Sequence, residues 1–313
     1  MRVVFMGTPD FAVPSLEALV TGGYQVVAVV TQPDRPKGRG QMPAFTPVKE
    51  AALAAGLEVL QPEKVREPWF LTKLAELRPD VVIVAAFGQI LPGEVLDLPP
   101  FGCINVHASL LPKYRGAAPI HRCIINGEER TGVTIMQMDR GLDTGDMLLQ
   151  AEIEIGPEDT AGTVHDRLAG LGGALLLEAL GKLARGELKR IPQDHSQSSY
   201  APMLSREDEL IDWMRDNKSL DNLIRGMNPW PGAYTIYKGK IVKVWLARAE
   251  DSPGKSIPGT VVRVDKNAGF EVQTGSGVLL VREVQPQGGK RMDAAAFARG
   301  YALAAGDLLG QHS

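Results

Sequence analysis

Apolar and polar positions along the chain follow two different periods, one in each half. Up to about residue 184, short runs that are apolar on both faces alternate with stretches whose apolar residues recur at helical spacing. The runs predict strands at 3–6, 25–30, 57–60, 81–86, 101–106, 132–138 and 148–155. The spaced stretches predict helices at 11–21, 47–55, 69–77, 120–125 and 163–184. Strands with no polar face are covered on both sides, so the fold class is α/β, with a doubly wound, mostly parallel sheet between helices. Residues 185–206 then break into Gly, Pro, Gln and Ser and read as a linker. After a helical stretch at 220–227 the period changes to two. Short strands at 234–237, 240–246, 259–264, 270–274 and 278–284, separated by Gly-containing turns, predict a small β-barrel of the oligonucleotide-binding (OB-like) type. The expected division is a first domain at 1–189, a linker at 190–206 and a barrel domain at 207–313.

Composition adds limits rather than chemistry. The chain has 313 residues, 44% hydrophobic, and a net charge of −3, as in an ordinary globular protein. No apolar run approaches the roughly 20 residues a membrane-spanning helix needs. Arg2-Val3-Val4-Phe5-Met6 enters a strand at once, which leaves no room for a targeting segment and predicts a cytoplasmic protein. Cys103 and Cys123 sit in apolar company and read as small core residues in a reducing compartment rather than as thiol nucleophiles. The charge is uneven: residues 1–190 carry 19 Lys and Arg against 23 Asp and Glu, whereas residues 225–313 carry 12 against 7. A basic C-terminal part fits a nucleic-acid footprint, and equally an ordinary solvated surface.

Cofactor signatures are missing. Gly7-Thr8-Pro9-Asp10 supplies one glycine where a dinucleotide fingerprint needs three, and it lacks the Gly-Lys-Ser/Thr ending of a phosphate loop. Thr8 there reads as a helix N-cap with Pro9 at the first helical position. The five histidines form no HExxH pair and no ligand spacing with cysteine, so no metal site is expected. The informative pair is Asn105 and His107, two apart at the end of an apolar strand and therefore on one face. An amide able to stabilise an oxyanion lies there beside an imidazole able to move protons. Strand-end capping is the plainer role for both. The glycine-bracketed acidic loop at residues 138–146 strengthens the catalytic reading, because its carboxylates can orient an imidazole.

Several motifs together carry a resemblance. Asn105-Val106-His107 with Ser109-Leu110-Leu111-Pro112, then Lys113-Tyr114-Arg115-Gly116-Ala117-Ala118-Pro119-Ile120, Gly132-Val133-Thr134-Ile135-Met136-Gln137-Met138 and Gly141-Leu142-Asp143-Thr144-Gly145-Asp146 resemble the folate-dependent formyltransferases. Thr31-Gln32-Pro33-Asp34-Arg35-Pro36-Lys37-Gly38-Arg39-Gly40 and Met227-Asn228-Pro229-Trp230-Pro231-Gly232-Ala233-Tyr234 resemble, within that family, its methionyl-tRNA formyltransferases. The similarity runs through the whole chain in order. Formyltransferases of glycinamide ribonucleotide resemble only the first domain.

The resemblance implies a Rossmann-like catalytic domain that moves a formyl group from 10-formyltetrahydrofolate, the co-substrate, to the α-amino group of methionyl initiator tRNA. It implies direct amine attack through a tetrahedral intermediate, with Asn105, His107 and Asp143 as catalytic residues and no metal. Ser109, Leu110, Leu111 and Pro112 are the implied folate ledge, with Gln89 and Leu91 in the loop facing the pterin. Arg35, Lys37 and Arg39 form a basic, proline-flanked loop implied to meet the tRNA acceptor end, with Lys238, Lys240 and Lys243 adding phosphate attraction. Trp230, between two prolines, is expected to pack at the domain junction, with stacking on an RNA base as the open alternative, and the protein is expected to act as a monomer. Two rivals stay open: a formyltransferase of nucleotide sugars, and a catalytically silent folate or RNA binding module.

Overall fold

Seven strands lie side by side in the order Met147–Glu154, Arg130–Gln137, Cys103–His107, Val81–Ala85, Arg2–Gly7, Gln25–Val30 and Val59–Leu60. The five from Cys103–His107 onward are mutually parallel, and Arg130–Gln137 joins them antiparallel. This computed structural model describes residues 1–37, 42–250, 252 and 256–310. The chain forms two compact units, the first made of Met1–Pro119, Arg130–Ile153 and His165–Ala201, the second of Ile120–Glu129, Glu154–Val164 and Pro202–Ser313. Among the described residues no helix is long and apolar enough to cross a membrane.

In the first unit the central strands Val81–Ala85 and Cys103–His107 are buried on both faces, whereas the edge strand Met147–Glu154 alternates in exposure. Val4, Met6, Val82, Val84 and Cys103 share a core with Phe70 and Leu74 of helix Pro68–Leu77 and with Phe87 and Leu91. On the opposite face Val106 meets the long helix Ala161–Ala184, where a side chain on Gly172 would come 2.8 Å from the Val106 Cγ1. Glycine there lets the helix close on the strand. Because side chains alternate along a strand, Asn105 and His107 continue the Cys103 face, at the carboxyl end of the parallel strands.

The structure alters several expectations in this unit. Thr8 caps no helix: its hydroxyl donates to the Phe87 carbonyl (3.0 Å) and accepts from the Gln32 N–H (3.3 Å). It thereby ties together the loops that follow three neighbouring strands. A 3-10 turn, Asp10–Ala12, precedes the helix, which begins only at Val13. Residues 35–37 and 42–44, read as loop, pair as a short antiparallel ribbon, with Pro36 opposite Pro43. Its base is fixed by Asp34, which binds Lys49 and Gln61, and the Lys49 ammonium holds the Asp34 carboxyl below its ordinary range.

The second unit contains the period-two strands. Tyr234–Tyr237, Lys240–Glu250, Val278–Pro286, Gly269–Gln273 and Val261–Asp265 form an antiparallel sheet in that order, with Met292–Asp293 paired to Val278–Pro286. Helix Asn217–Gly226, capped by the Asp216 carboxylate on the Ser219 N–H, lays Leu220, Leu223 and Ile224 onto a core with Phe270 and Phe297. A helix at Ala294–Gly300, too short to show a helical period, was not expected from the sequence.

The segment after Pro202 is clamped by Arg122. Its guanidinium makes two 2.8 Å bonds to the Asp208 carboxylate and also donates to the Pro202 and Met203 carbonyls. That guanidinium is the main reason the Asp208 carboxyl is lowered to about 2, with burial opposing it. A carboxyl held low adds stability above its ordinary range and loses it as pH falls from about 4 through about 2. Asp208→Asn is therefore expected to cost about 1 kcal/mol at pH 7, after allowance for solvent screening of a pair at the surface. Urea midpoints of variant and parent at pH 7 and pH 3 measure this, and an equal gap at both values would remove the carboxylate charge from the explanation.

Candidate active site

Strand Cys103–His107 sets the site. Asn105 lies opposite Met136 and His107 opposite Thr134 on the neighbouring strand. Asn105 is 9% exposed and His107 6%. Among the described residues no protein group hydrogen-bonds the Asn105 side chain, so a nearly buried amide keeps its donors and acceptor for something else. His107 Nε2 lies 3.0 Å from the Tyr114 carbonyl, which can only accept. The proton on that nitrogen is therefore assigned to this bond, leaving Nδ1 as the nitrogen that faces Asp143.

The loop that carries Asp143 leaves strand Arg130–Gln137 at the level of Ile104 and folds back along the sheet. Its base is closed by the Gln137 N–H donating to the Asp146 carbonyl (2.8 Å). Gly145 makes that closure possible, since a side chain there would lie 1.9 Å from the Gln137 carbonyl oxygen. Inside the loop, Asp139 accepts from the Gly141 N–H and the Thr144 hydroxyl. Asp143 adopts a left-handed backbone (φ 52°), and its Oδ2 accepts from the Gly116 N–H (2.8 Å) while standing 3.7 Å from His107 Nδ1. That is an ion-pair separation, longer than a hydrogen bond.

Beside the pair, Ser109 to Pro112 form a braced ledge. The Ser109 hydroxyl, buried, donates to the Lys113 carbonyl (2.7 Å). Thr134, fully buried, donates to the Ser109 carbonyl (2.6 Å) and accepts from the Leu111 N–H and from Gln150 Nε2, which also reaches the Leu111 carbonyl. Leu110 packs over Gly132, and Leu111 is buried. Leu91 is a core residue beside Phe87. The Gln89 amide is committed at both ends, accepting from the Val65 N–H and donating to the Glu63 carbonyl, so it shapes the loop that follows strand Val81–Ala85. Cys103 is buried near the site, and burial pushes its thiol up to about 12, the behaviour of a core residue and not of a nucleophile.

The basic residues differ in how far they are committed to other groups, Lys238 lying over the Tyr237 ring with its Nζ 4.7 Å from the centroid. Arg35 is exposed at the start of the proline ribbon, Lys37 lies in the same strand, and Arg39 falls outside the described residues. Lys238 and Lys240 are exposed in and after the turn of the first hairpin of the second unit. Lys243 is half-buried, and its ammonium donates to the Pro231 carbonyl (2.6 Å). Trp230 is 68% exposed and meets the His121 ring edge-on. Sequence reasoning did not single out Thr134, Gln150, Gln193 or Arg115 as site residues. Each is a polar side chain bound to partners far along the chain, and no local pattern marks it.

A family model described as formyl transferase matches residues 1–180, and one described as formyl transferase, C-terminal domain, matches residues 203–302. The methionyl-tRNA formyltransferase of Acetivibrio thermocellus is 53% identical over 312 residues, 99% of this chain and 100% of its own length. That of Pelotomaculum thermopropionicum is 54% identical over 312 residues, 99% of each chain. In fold, the chain is similar to the N-formyltransferase of Helicobacter canadensis solved with folinic acid and dTDP-3-aminofucose, with a TM-score of 0.68 at 20% identity over 90% of this chain and 99% of that one. It is also similar to HypX from Aquifex aeolicus in complex with tetrahydrofolic acid, with a TM-score of 0.63 at 19% identity over 97% of this chain and 48% of that one. Two family models and relatives alike over their full length place this chain in the formyl transferase family, next to its methionyl-tRNA formyltransferases.

Proposed function

We propose that the protein transfers the formyl group of 10-formyltetrahydrofolate to the α-amino group of methionyl initiator tRNA for translation initiation, as a cytoplasmic monomer. Full-length relatives with that name support the reaction. The observation that carries the site assignment is an Asn105 amide with no protein partner among the described residues, next to a His107 whose Nδ1 faces Asp143 at 3.7 Å.

In this reading the amine attacks the formyl carbon, and negative charge grows on the formyl oxygen. Asn105 Nδ2 and protonated His107 donate to that oxygen, each such donor being worth about 2.7 to 4 kcal/mol. Asp143 holds the imidazole, takes the proton shed by the attacking nitrogen, directly or through water, and passes it on to N10 of the folate, which leaves as the C–N10 bond breaks and the formyl C=O re-forms. The gap between Asp143 and His107 closes on substrate, as catalytic hydrogen bonds commonly do. General acid/base help of this kind contributes about 10²- to 10⁴-fold. Holding the two substrates together contributes more, roughly 7 to 11 kcal/mol.

The ledge of Ser109, Leu110, Leu111 and Pro112, with Leu91 and the loop that Gln89 shapes, forms the folate side. Arg35, Lys37 and Arg39, with Lys238 and Lys240, attract tRNA phosphates. Lys243 contributes by fixing the turn at Pro231. Residues 1–189 serve formyl transfer and residues 207–313 tRNA binding. Incubation with formyl-labelled 10-formyltetrahydrofolate and either charged initiator tRNA or a nucleotide-linked amino sugar tests the function. Labelled formyl-methionyl-tRNA is the expected product, and label appearing only on the sugar would replace this reading with its rival.

A further inference from the structure

Two residues beside the reacting pair adopt left-handed backbone conformations that non-glycine residues seldom take: Asp143 (φ 52°) and Tyr114 (φ 59°). Each one presents a group to the pair. The Tyr114 carbonyl receives His107 Nε2, and the Asp143 carboxylate faces Nδ1 of the same ring. Conformations of this kind persist only where surrounding bonds over-determine them.

Both are held by one stretch, residues 193–199, in the segment whose Gly, Pro, Gln and Ser content reads as a linker. Ser199 accepts the Tyr114 N–H on its hydroxyl (2.9 Å) and the Arg115 N–H on its carbonyl (2.9 Å), and its own N–H donates to the Pro112 carbonyl. The next two residues, Tyr200–Ala201, pair in parallel with Arg115–Gly116. At the other end of the stretch, Gln193 is 6% exposed and uses its whole amide. Nε2 donates to the carbonyls of Asp143 (2.8 Å) and Gly145 (2.7 Å), while Oε1 accepts from Arg115 Nε (3.0 Å) and Nη2 (2.6 Å). Arg115 is followed by Gly116, whose N–H binds the Asp143 carboxylate. The Asp143 residue is thus gripped at its carbonyl by Gln193 and at its carboxylate by the residue next to the arginine that Gln193 binds.

We propose that residues 193–199 are a brace that sets the spacing of His107 and Asp143, with Gln193 as the positioning residue for Asp143. The brace does no chemistry itself. It rests on the roles assigned to His107 and Asp143 above. Displacing a reacting group by about 1 Å can cost on the order of 10²-fold in rate, so loss of the grip should appear in turnover rather than in substrate binding.

Two substitutions test this. Gln193→Ala removes every bond. Gln193→Glu keeps acceptors for Arg115 but has no donor for the two loop carbonyls, so it separates anchorage of the segment from control of the loop. Each variant is expected to lower kcat about 10- to 100-fold, with KM for either substrate within about threefold of the parent. In an Asp143→Asn background, where the carboxylate charge is already gone, either change should cost less than about threefold more, because the two residues act through one interaction. An equal loss in both backgrounds, or a loss confined to KM, would overturn the brace. The ¹⁵N shifts of the His107 ring give a readout that needs no substrate: they move in Gln193→Ala if the brace holds and coincide with the parent if it does not. If the parent transfers no formyl group, the functional reading fails, while those shifts still decide the brace.

Discussion

Asn105→Ala should slow formyl transfer about 10²- to 10³-fold and leave the affinity for tRNA unchanged, the cost found when a single oxyanion donor is deleted. The expectation follows from the lack of a protein hydrogen-bond partner for this amide among the described residues. A side chain that bonds to no protein group among the described residues leaves no hydrogen-bond partner unsatisfied when it is removed, so its cost to the fold is one of packing alone. Its contribution arises only when charge develops on the formyl oxygen, and such an interaction is lost from kcat and not from KM. Single-turnover rates at saturating substrate, beside a tRNA-binding isotherm and a thermal melt, measure all three quantities. A parallel loss of binding, or a melting temperature lower by several degrees, would assign Asn105 to the structure instead.

Asp143→Asn is expected to have an effect of similar or larger size, about 10²- to 10⁴-fold in kcat, the range of general acid/base catalysis. This exchange isolates charge from shape. The asparagine oxygen can still accept from the Gly116 N–H, and the two Gln193 bonds go to main-chain carbonyls that the exchange does not touch. The loop therefore keeps its course while the group facing His107 Nδ1 becomes neutral. Melting temperature and folate affinity should match the parent, and turnover at the parent's rate would take Asp143 out of the chemistry.

The parts of this site that could be read in the sequence are those fixed by local geometry. Asn105 and His107 share a face because strand side chains alternate, whatever the tertiary fold, and the apolar runs around them required a sheet covered on both sides. Asp143 was legible as a loop residue, but its approach to His107 depends on Gly145, Gly116 and Gln193, which no periodicity connects. Thr8 shows the limit of a local rule: its position before Pro9 suits a cap, yet the Phe87 carbonyl and the Gln32 N–H, 79 and 24 residues away, take its hydroxyl. Gln89 and Lys243 make the same point, since the polarity that marks a binding residue also suits a brace between main-chain groups. Trp230, expected to pack at the domain junction, is 68% exposed and meets the His121 ring edge-on. Arg39, the leading cation of the basic loop, lies outside the described residues.

The make-up of the second unit bears on how the chain comes to be folded at all. Ile120–Glu129 and Glu154–Val164 belong to it although the sequence on either side belongs to the first unit, so the chain changes units at five junctions. During synthesis both excursions emerge well before the residues from 202 onward that complete their surroundings. Until then Ile125 lacks the core it packs against, Arg122 lacks Asp208, and the Asp159 carbonyl lacks the Arg225 that donates to it. The units therefore cannot fold one after the other like beads leaving the ribosome. A fragment cut at residue 203 would begin life without two pieces of its own interior.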